Sequence, residues 1–266
     1  MNKDYPVVLL CGGKGTRLEG DRFSPPKCLI EVKGKPIIWH IMKHYASHGF
    51  KNFIICLGHK GDMIKDYFLN FNMKNSDLNI SFEGGYSNVE VIKQNFSIED
   101  WNVKLVETGE DTMTGSRLKK IERYIETDLF LMTYGDGISN VNLSELLSFH
   151  LEHGALATLT GVHPRSQYGQ LNMNGNLVTS FREKAILTEQ YINGGYFVLH
   201  KKVLEDIAED TLDCVWENKP LERLVYMNEL FVYKHEGFWQ GMDTLKDRDF
   251  LEVLMNNQEG KDISYV

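Results

Sequence analysis

The sequence predicts an α/β fold built on a mixed, mostly parallel sheet. Three observations carry this. Short, continuous apolar runs recur without alternation, as strands covered on both faces require. Amphipathic stretches of helical period lie between them. A glycine-rich loop follows the first run directly. The chain has 266 residues, 42% hydrophobic and 25% charged, enough to bury a large core without disulfides or structural metal. One domain is expected over 1–266, with an inserted segment near 71–103.

The elements follow in order. Residues 7–11 form the first buried strand and end in glycines; a polar loop runs to about Lys27. Pro36 opens a helix whose apolar face is Ile37, Ile38, Ile41, Met42 and Tyr45, since proline suits a first helical turn, and Gly49 ends it. Residues 53–57 are a second buried strand and 63–69 a second helix, a doubly wound start. Residues 71–103 are polar, with a Gly84-Gly85 break and weak alternation, and read as an excursion from the core. A strand at 103–106, a helix at 115–124, a central strand at 129–133, a helix at 143–151 and a strand at 155–161 resume the alternation. Asn174-Gly175 predicts a hairpin between 171–173 and 176–178 through a type I′ turn. Strands at 196–199 and 230–233 and a helix at 245–255 complete the chain.

Composition excludes several classes. The net charge of −8 argues against a general nucleic-acid binder, which needs a broad basic surface, but not against a phosphate-handling site that needs a few local cations. The longest apolar runs fall far short of the ~20 residues of a membrane span, and no membrane partner is expected. The start, Met1-Asn2-Lys3-Asp4, lacks the apolar region of a signal peptide. The cysteines Cys11, Cys28, Cys56 and Cys214 form no Cys-x-x-Cys pair, which excludes a zinc ribbon or thioredoxin motif and suits a reducing cytoplasm. His40, His44 and His48 are spaced four apart on one predicted helix; without a third kind of ligand nearby they read as packing histidines.

The chemistry concentrates in a few motifs. Leu10-Cys11-Gly12-Gly13-Lys14-Gly15-Thr16-Arg17-Leu18 follows the first strand, with Lys27 ten residues past Arg17. Glycines let backbone N–H groups turn toward phosphate oxygens; Arg17 offers a forked cation and Lys27 a mobile point charge. A Walker A loop needs Ser or Thr after its Gly-Lys, and here Gly15 follows Lys14. A dinucleotide fingerprint from Gly13-x-Gly15 would need glycine where Leu18 stands. Tyr134-Gly135-Asp136-Gly137 follows the central strand; a carboxylate there can hold Mg²⁺ against phosphates, although Asp-Gly is also a common turn. Thr112-x-Thr114-Gly115-Ser116-Arg117 reads first as a capped helix start with solvated cations; hydroxyls and a cation set against a pyrimidine are the alternative.

The glycine loop with Pro26-Lys27 resembles the signature of sugar-1-phosphate nucleotidyltransferases. The stretches 34–43, 113–119, Thr133-Tyr134-Gly135-Asp136-Gly137, 192–199 and 237–244 are similar to the glucose-1-phosphate cytidylyltransferase branch, in family order over nearly the whole chain. The resemblance implies a Rossmann-like three-layer nucleotidyltransferase fold and an enzyme of sugar-nucleotide and polysaccharide biosynthesis. CTP and a sugar 1-phosphate, glucose 1-phosphate or a related hexose, would give CDP-sugar and pyrophosphate. Another nucleoside triphosphate, a different phosphorylated acceptor or a non-catalytic nucleotide-binding module stay open as alternatives. It implies Arg17 and Lys27 as catalytic residues and Mg²⁺ on Asp136 and Asp243. Leu10, Gly12, Gly13, Lys14, Gly15, Thr16, Arg17, Lys27, Thr112, Thr114, Gly115, Arg117 and Gly135 would hold the nucleotide. Tyr134, Tyr168, Gly169, Glu183, Lys184, Asn193 and Gly194 would hold the acceptor. Ala185 replaces the proline that usually follows Glu-Lys, so the acceptor side departs more from the family pattern. A homo-oligomer is expected.

Overall fold

The computed structural model describes residues 4–14, 24–94, 99–166, 168–183, 185–208 and 211–256. The strands are β1 (Val7–Leu10), β2 (Glu31–Val32), β3 (Lys35–Pro36), β4 (Asn52–Leu57), β5 (Ser76–Glu83), β6 (Tyr86–Gln94), β7 (Asn102–Glu107), β8 (Leu129–Tyr134), β9 (Gly137–Ser139), β10 (Ala157–Val162), β11 (Gln170–Asn174), β12 (Leu177–Arg182), β13 (Ile192–His200), β14 (Leu230–His235) and β15 (Trp239–Gly241). The helices are α1 (Ile37–Ser47), α2 (Gly61–Leu69), α3 (Phe71–Lys74), α4 (Thr114–Ile121), α5 (Leu143–His153), α6 (Lys219–Tyr226) and α7 (Leu245–Asn256).

Seven strands form the central sheet in the order β14-β10-β13-β8-β1-β4-β7. β13 is antiparallel to both neighbours and the other pairs are parallel, so the sheet is mixed and mostly parallel. The pleat sends successive side chains to opposite faces, which makes three layers. Val7, Leu9, Ile55, Leu131 and Val198 face one core, shared with Ile41 and Tyr45 of α1 and Leu146 of α5. Val8, Leu10, Ile54, Phe130, Met132 and Phe197 face the other, with Leu118 of α4 and Trp216. β1 is central and buried throughout, which explains why its sequence shows no alternation. The histidines of α1 are packing residues: His40 and His44 are buried, and their Nε2 atoms meet the carbonyl oxygens of Val32 and Val141, each at 2.9 Å.

The excursion after α2 carries elements of its own: α3 leads into a β5–β6 hairpin that pairs with none of the seven strands. Its apolar residues alternate with Asp77, Asn79 and Ser81, and Ile80 pairs with Val89. The β11–β12 turn is not type I′. Asn174 pairs with Leu177, so Gly175 and Asn176 are the two turn residues, and only Gly175 has positive φ (58°); that is the type II′ pattern, with glycine first. Helix α4 ends at Ile121 and a single 3₁₀ turn carries it to Tyr124. Pro36 caps α1 rather than lying in its first turn. Helix α6, with proline in its first turn, escapes the sequence reading although Leu221, Leu224 and Val225 fall at helical spacing, because it is only eight residues long and buries only Leu224. Among the described residues no helix is long and apolar enough to cross a membrane.

Candidate active site

The parallel strands β1, β4, β7 and β8 end at one edge of the sheet, where ligands of open α/β sheets bind. The loops after them enclose a cleft of about 370 Å³. Leu10, Gly12, Gly13, Lys27, Thr112, Thr114, Arg117, Tyr134, Gly135 and Asp136, ten of the residues expected from sequence, line it together with Cys11, Cys28 and Met113. Gly15, Thr16, Arg17 and Lys184 lie outside the described residues.

Arg117 ties the loops together. It reaches from α4 and is 3% exposed. Its Nη1 donates to the Leu57 carbonyl (2.9 Å), Thr108 Oγ1 (2.6 Å) and the Gly109 carbonyl (2.7 Å); its Nη2 donates to the carbonyls of Gly12 (2.8 Å) and Glu110 (3.2 Å). The guanidinium is therefore engaged by the loops. Gly12 has to be glycine because a Cβ there would lie 2.2 Å from Arg117 Nη1. The Gly12 carbonyl also accepts the His59 N–H at 3.2 Å. In a trans peptide the next N–H points the opposite way, so the Gly13 N–H turns away from Arg117, beside open space. Arg117 thus sets the orientation of a backbone donor in the loop.

The second centre is a lysine between two carboxylates. Lys27 Nζ donates to Asp243 Oδ1 at 2.6 Å and to Asp136 Oδ2 at 3.4 Å. Asp136 ends the β8 loop, and the Met242 N–H bonds its carbonyl oxygen at 2.8 Å. The short β9–β15 ladder brings the segment ending in Asp243 to this place. Burial raises the pKa of Asp136; Lys27 opposes that shift and Asp243 adds to it. The two carboxylates converge on one ammonium across a sequence separation of more than a hundred residues. Hard oxygen donors meeting at one cation are the set that suits Mg²⁺.

Cys11 and Cys56 are held as thiols. The hydrogen bond with Cys28 and then burial hold the Cys11 pKa well up, and burial pushes Cys56, behind the loop, up to about 12. A thiolate is the reactive form, and neither site favours it.

Other expected residues fall in different places. The Lys14 ammonium pairs with Asp111 Oδ1 at 2.6 Å on the surface. Gly115 is a packing glycine: a Cβ would meet Cys214 Sγ at 2.7 Å and the Cys214 carbonyl oxygen at 2.9 Å. Gly135 likewise leaves room for Cys11 Sγ, 2.7 Å from where its Cβ would be. Tyr168 is 78% exposed, and Gly169 sits against Phe181 and Glu183 beside the β11–β12 hairpin. None of Tyr168, Gly169, Glu183, Asn193 and Gly194 lines the nucleotide cleft. Asn193 Nδ2 does reach the Tyr134 hydroxyl at 3.3 Å, and the Gly194 carbonyl accepts Trp239 Nε1–H at 2.7 Å. The sequence reading missed Glu217, which accepts the hydroxyls of both Tyr134 and Thr114. No motif marks it, because its partners lie 103 and 83 residues away along the chain.

A glycine loop after β1, an anchored lysine and paired aspartates thus meet at the sheet edge where ligands of open α/β sheets bind. The chain belongs to the nucleotidyl transferase family, whose model matches residues 6–223. Within that family it is 44% identical over 249 residues to the glucose-1-phosphate cytidylyltransferase of Salmonella typhimurium, covering 93% of this chain and 95% of that one. Two solved structures share the fold. HddC from Yersinia pseudotuberculosis has a TM-score of 0.65 and 21% identity, over 94% of this chain and 98% of that one. The inositol-1-phosphate CTP transferase from T. maritima has a TM-score of 0.65 and 17% identity, over 96% and 98%.

Proposed function

We propose that this enzyme transfers a cytidylyl group from CTP to a sugar 1-phosphate, glucose 1-phosphate or a related hexose, giving CDP-sugar and pyrophosphate. The observation that carries the reading is the cleft itself: a glycine loop, Lys27 and two aspartates at one sheet edge, in a chain 44% identical to a glucose-1-phosphate cytidylyltransferase. An oxygen of the sugar phosphate attacks the α-phosphorus of CTP in line. The new P–O bond forms as the bond from that phosphorus to the β-phosphate bridging oxygen breaks, and its electron pair leaves with pyrophosphate. No strong general base is required, because a phosphate monoester is mostly dianionic at neutral pH (second pKa ~6).

The protein's part is then position and charge. The Gly13 N–H and its neighbours bind phosphate oxygens. Lys27 and Arg17 neutralise the triphosphate and the departing pyrophosphate. Lys184 and Glu183 hold the phosphate and hydroxyls of the acceptor. Asp136 and Asp243 would hold Mg²⁺, which would supply charge neutralisation at the phosphates when bound. Lys27, which bonds both carboxylates, is placed to pair with phosphate. The enzyme acts in the cytoplasm as a homo-oligomer in sugar-nucleotide supply for polysaccharide synthesis.

The direct test incubates the purified protein with CTP, glucose 1-phosphate and Mg²⁺ and follows both products. CDP-glucose and pyrophosphate are expected in equal amounts, with neither formed when EDTA removes the metal. Absence of both products, with every sugar 1-phosphate tried, would overturn the reading.

A further inference from the structure

Glu217 stands behind the cleft wall, in the turn ahead of α6, half-buried. Its Oε2 accepts the Thr114 hydroxyl at 2.8 Å and its Oε1 accepts the Tyr134 hydroxyl. Thr114 opens α4 on the nucleotide side, and its oxygen also accepts the Trp216 N–H at 2.9 Å. Tyr134 ends β8, and its oxygen accepts Asn193 Nδ2–H at 3.3 Å. Asn193, on β13, is fixed at its other end by the Gly195 N–H, 2.9 Å from Oδ1. One continuous row of hydrogen bonds therefore runs from the acceptor-side strand to the nucleotide-side helix.

Each of the two hydroxyls has a single proton, and both are donated to the same carboxylate. An acceptor-only group with two oxygens meets this demand; an amide would turn an N–H toward one of them. The segment before Glu217 is itself clamped to α4: Met113 N–H bonds the Leu212 carbonyl (2.8 Å), Ser116 N–H bonds the Cys214 carbonyl (3.1 Å), and Cys214 N–H bonds Ser116 Oγ (3.1 Å). Trp216, buried, packs edge-on to Phe197. The carboxylate is thus held on a rigid support. A negative charge beside a polyphosphate site opposes binding by its charge alone, so what Glu217 supplies is geometry.

We propose that Glu217 is a positioning residue for the transfer reaction, fixing Thr114 and Tyr134 so that the nucleotide and acceptor walls of the cleft keep one separation. The proposal rests on the transferase reading. A 1 Å misplacement of reacting groups is enough to cost on the order of a hundredfold in rate, and Glu217 acts through the two hydroxyls rather than on substrate.

The test is a kinetic cycle on the full chain with Glu217→Ala, Glu217→Gln, Tyr134→Phe and the double variant Tyr134→Phe/Glu217→Ala, varying CTP and glucose 1-phosphate separately. Thermal unfolding runs in parallel, and binding of the nucleoside triphosphate is measured by calorimetry without turnover. Glu217→Ala should lower kcat/KM about tenfold or more against either substrate and weaken nucleotide binding. Glu217→Gln should fall between it and wild type. In the Tyr134→Phe background the Glu217→Ala change should cost distinctly less, because one of its two bonds is already gone. Wild-type kinetics and binding in Glu217→Ala, or full additivity with Tyr134→Phe, would overturn the proposal. A lowered melting temperature with unchanged kcat and KM would do so too, since it marks a purely structural role. If Glu217→Ala does not fold, Glu217→Gln and Thr114→Val carry the same comparison. Failure of the transferase reading is separate: wild type would form no product, and the binding arm would still decide whether Glu217 shapes the nucleotide wall.

Discussion

In the proposed transfer, Lys27 and Asp136 are single residues on which the chemistry turns. The Lys27 ammonium bonds two carboxylates, so Lys27→Ala should leave the circular dichroism spectrum intact while kcat/KM drops at least tenfold. Unchanged kinetics would remove Lys27 from the site. Asp136→Asn and Asp243→Asn should each abolish Mg²⁺-dependent activity, because an amide is a far poorer ligand for this hard cation than a carboxylate. Wild-type rate at the same Mg²⁺ in either variant would rule out that carboxylate as a ligand. At this scale the sequence was informative where chemistry needs a particular residue type next to a strand end, as with Leu10, Gly12, Lys27 and Asp136. It was silent on why a glycine is needed. Gly115 and Gly135 make room for cysteines, contacts that only the folded chain reveals.

At the scale of elements, the glycine loop and α4 form one unit through Arg117. Gly12→Ala would place a Cβ 2.2 Å from Arg117 Nη1 and force the guanidinium from its five carbonyl and hydroxyl partners. Several buried acceptors would then lose a donor, at about 1–3 kcal/mol each. We expect a clear loss of stability in urea unfolding together with a raised KM for nucleotide; a variant with wild-type stability and KM would contradict the described role of Arg117. Helices α1 and α5 carry a pH dependence. Burial pulls His44 down to about 3 and His150 to about 4, against about 6.5 in an unfolded chain. Between those values the unfolded state binds more protons, so stability is full above pH 6.5 and falls as pH drops below it. At pH 5, 1.5 units below 6.5, each histidine withdraws roughly 2 kcal/mol. The melting temperature should therefore be lower at pH 5 than at pH 7.5, with a flatter profile in His44→Gln; a flat wild-type profile would contradict this. The buried parallel strands were legible because continuous apolar runs have one simple explanation. Helix α6 was not, because it leaves most of its length in solvent, and neither was the clamp between 212–217 and α4, which joins segments about a hundred residues apart.

Taken whole, the proposed transfer takes place at one edge of a seven-stranded sheet, with the nucleotide expected against β1, α4 and β8 and the acceptor reached through Tyr134 and Asn193. The expected nucleotide side is the tighter of the two: its loops are bonded to one another through Arg117 and Glu217, whereas Tyr168, Gly169 and Glu183 stand near an exposed hairpin. The base should accordingly be chosen more strictly than the acceptor. Cytosine and uracil differ in their donor and acceptor pattern, and each unmet buried group costs about 1–3 kcal/mol. The measurement that tests the account most directly is kcat/KM for CTP against UTP, with glucose 1-phosphate and several other sugar 1-phosphates as acceptors. Cytidylyl transfer predicts a preference for CTP of about tenfold or more with every acceptor used. Equal efficiency with CTP and UTP across those acceptors would contradict it.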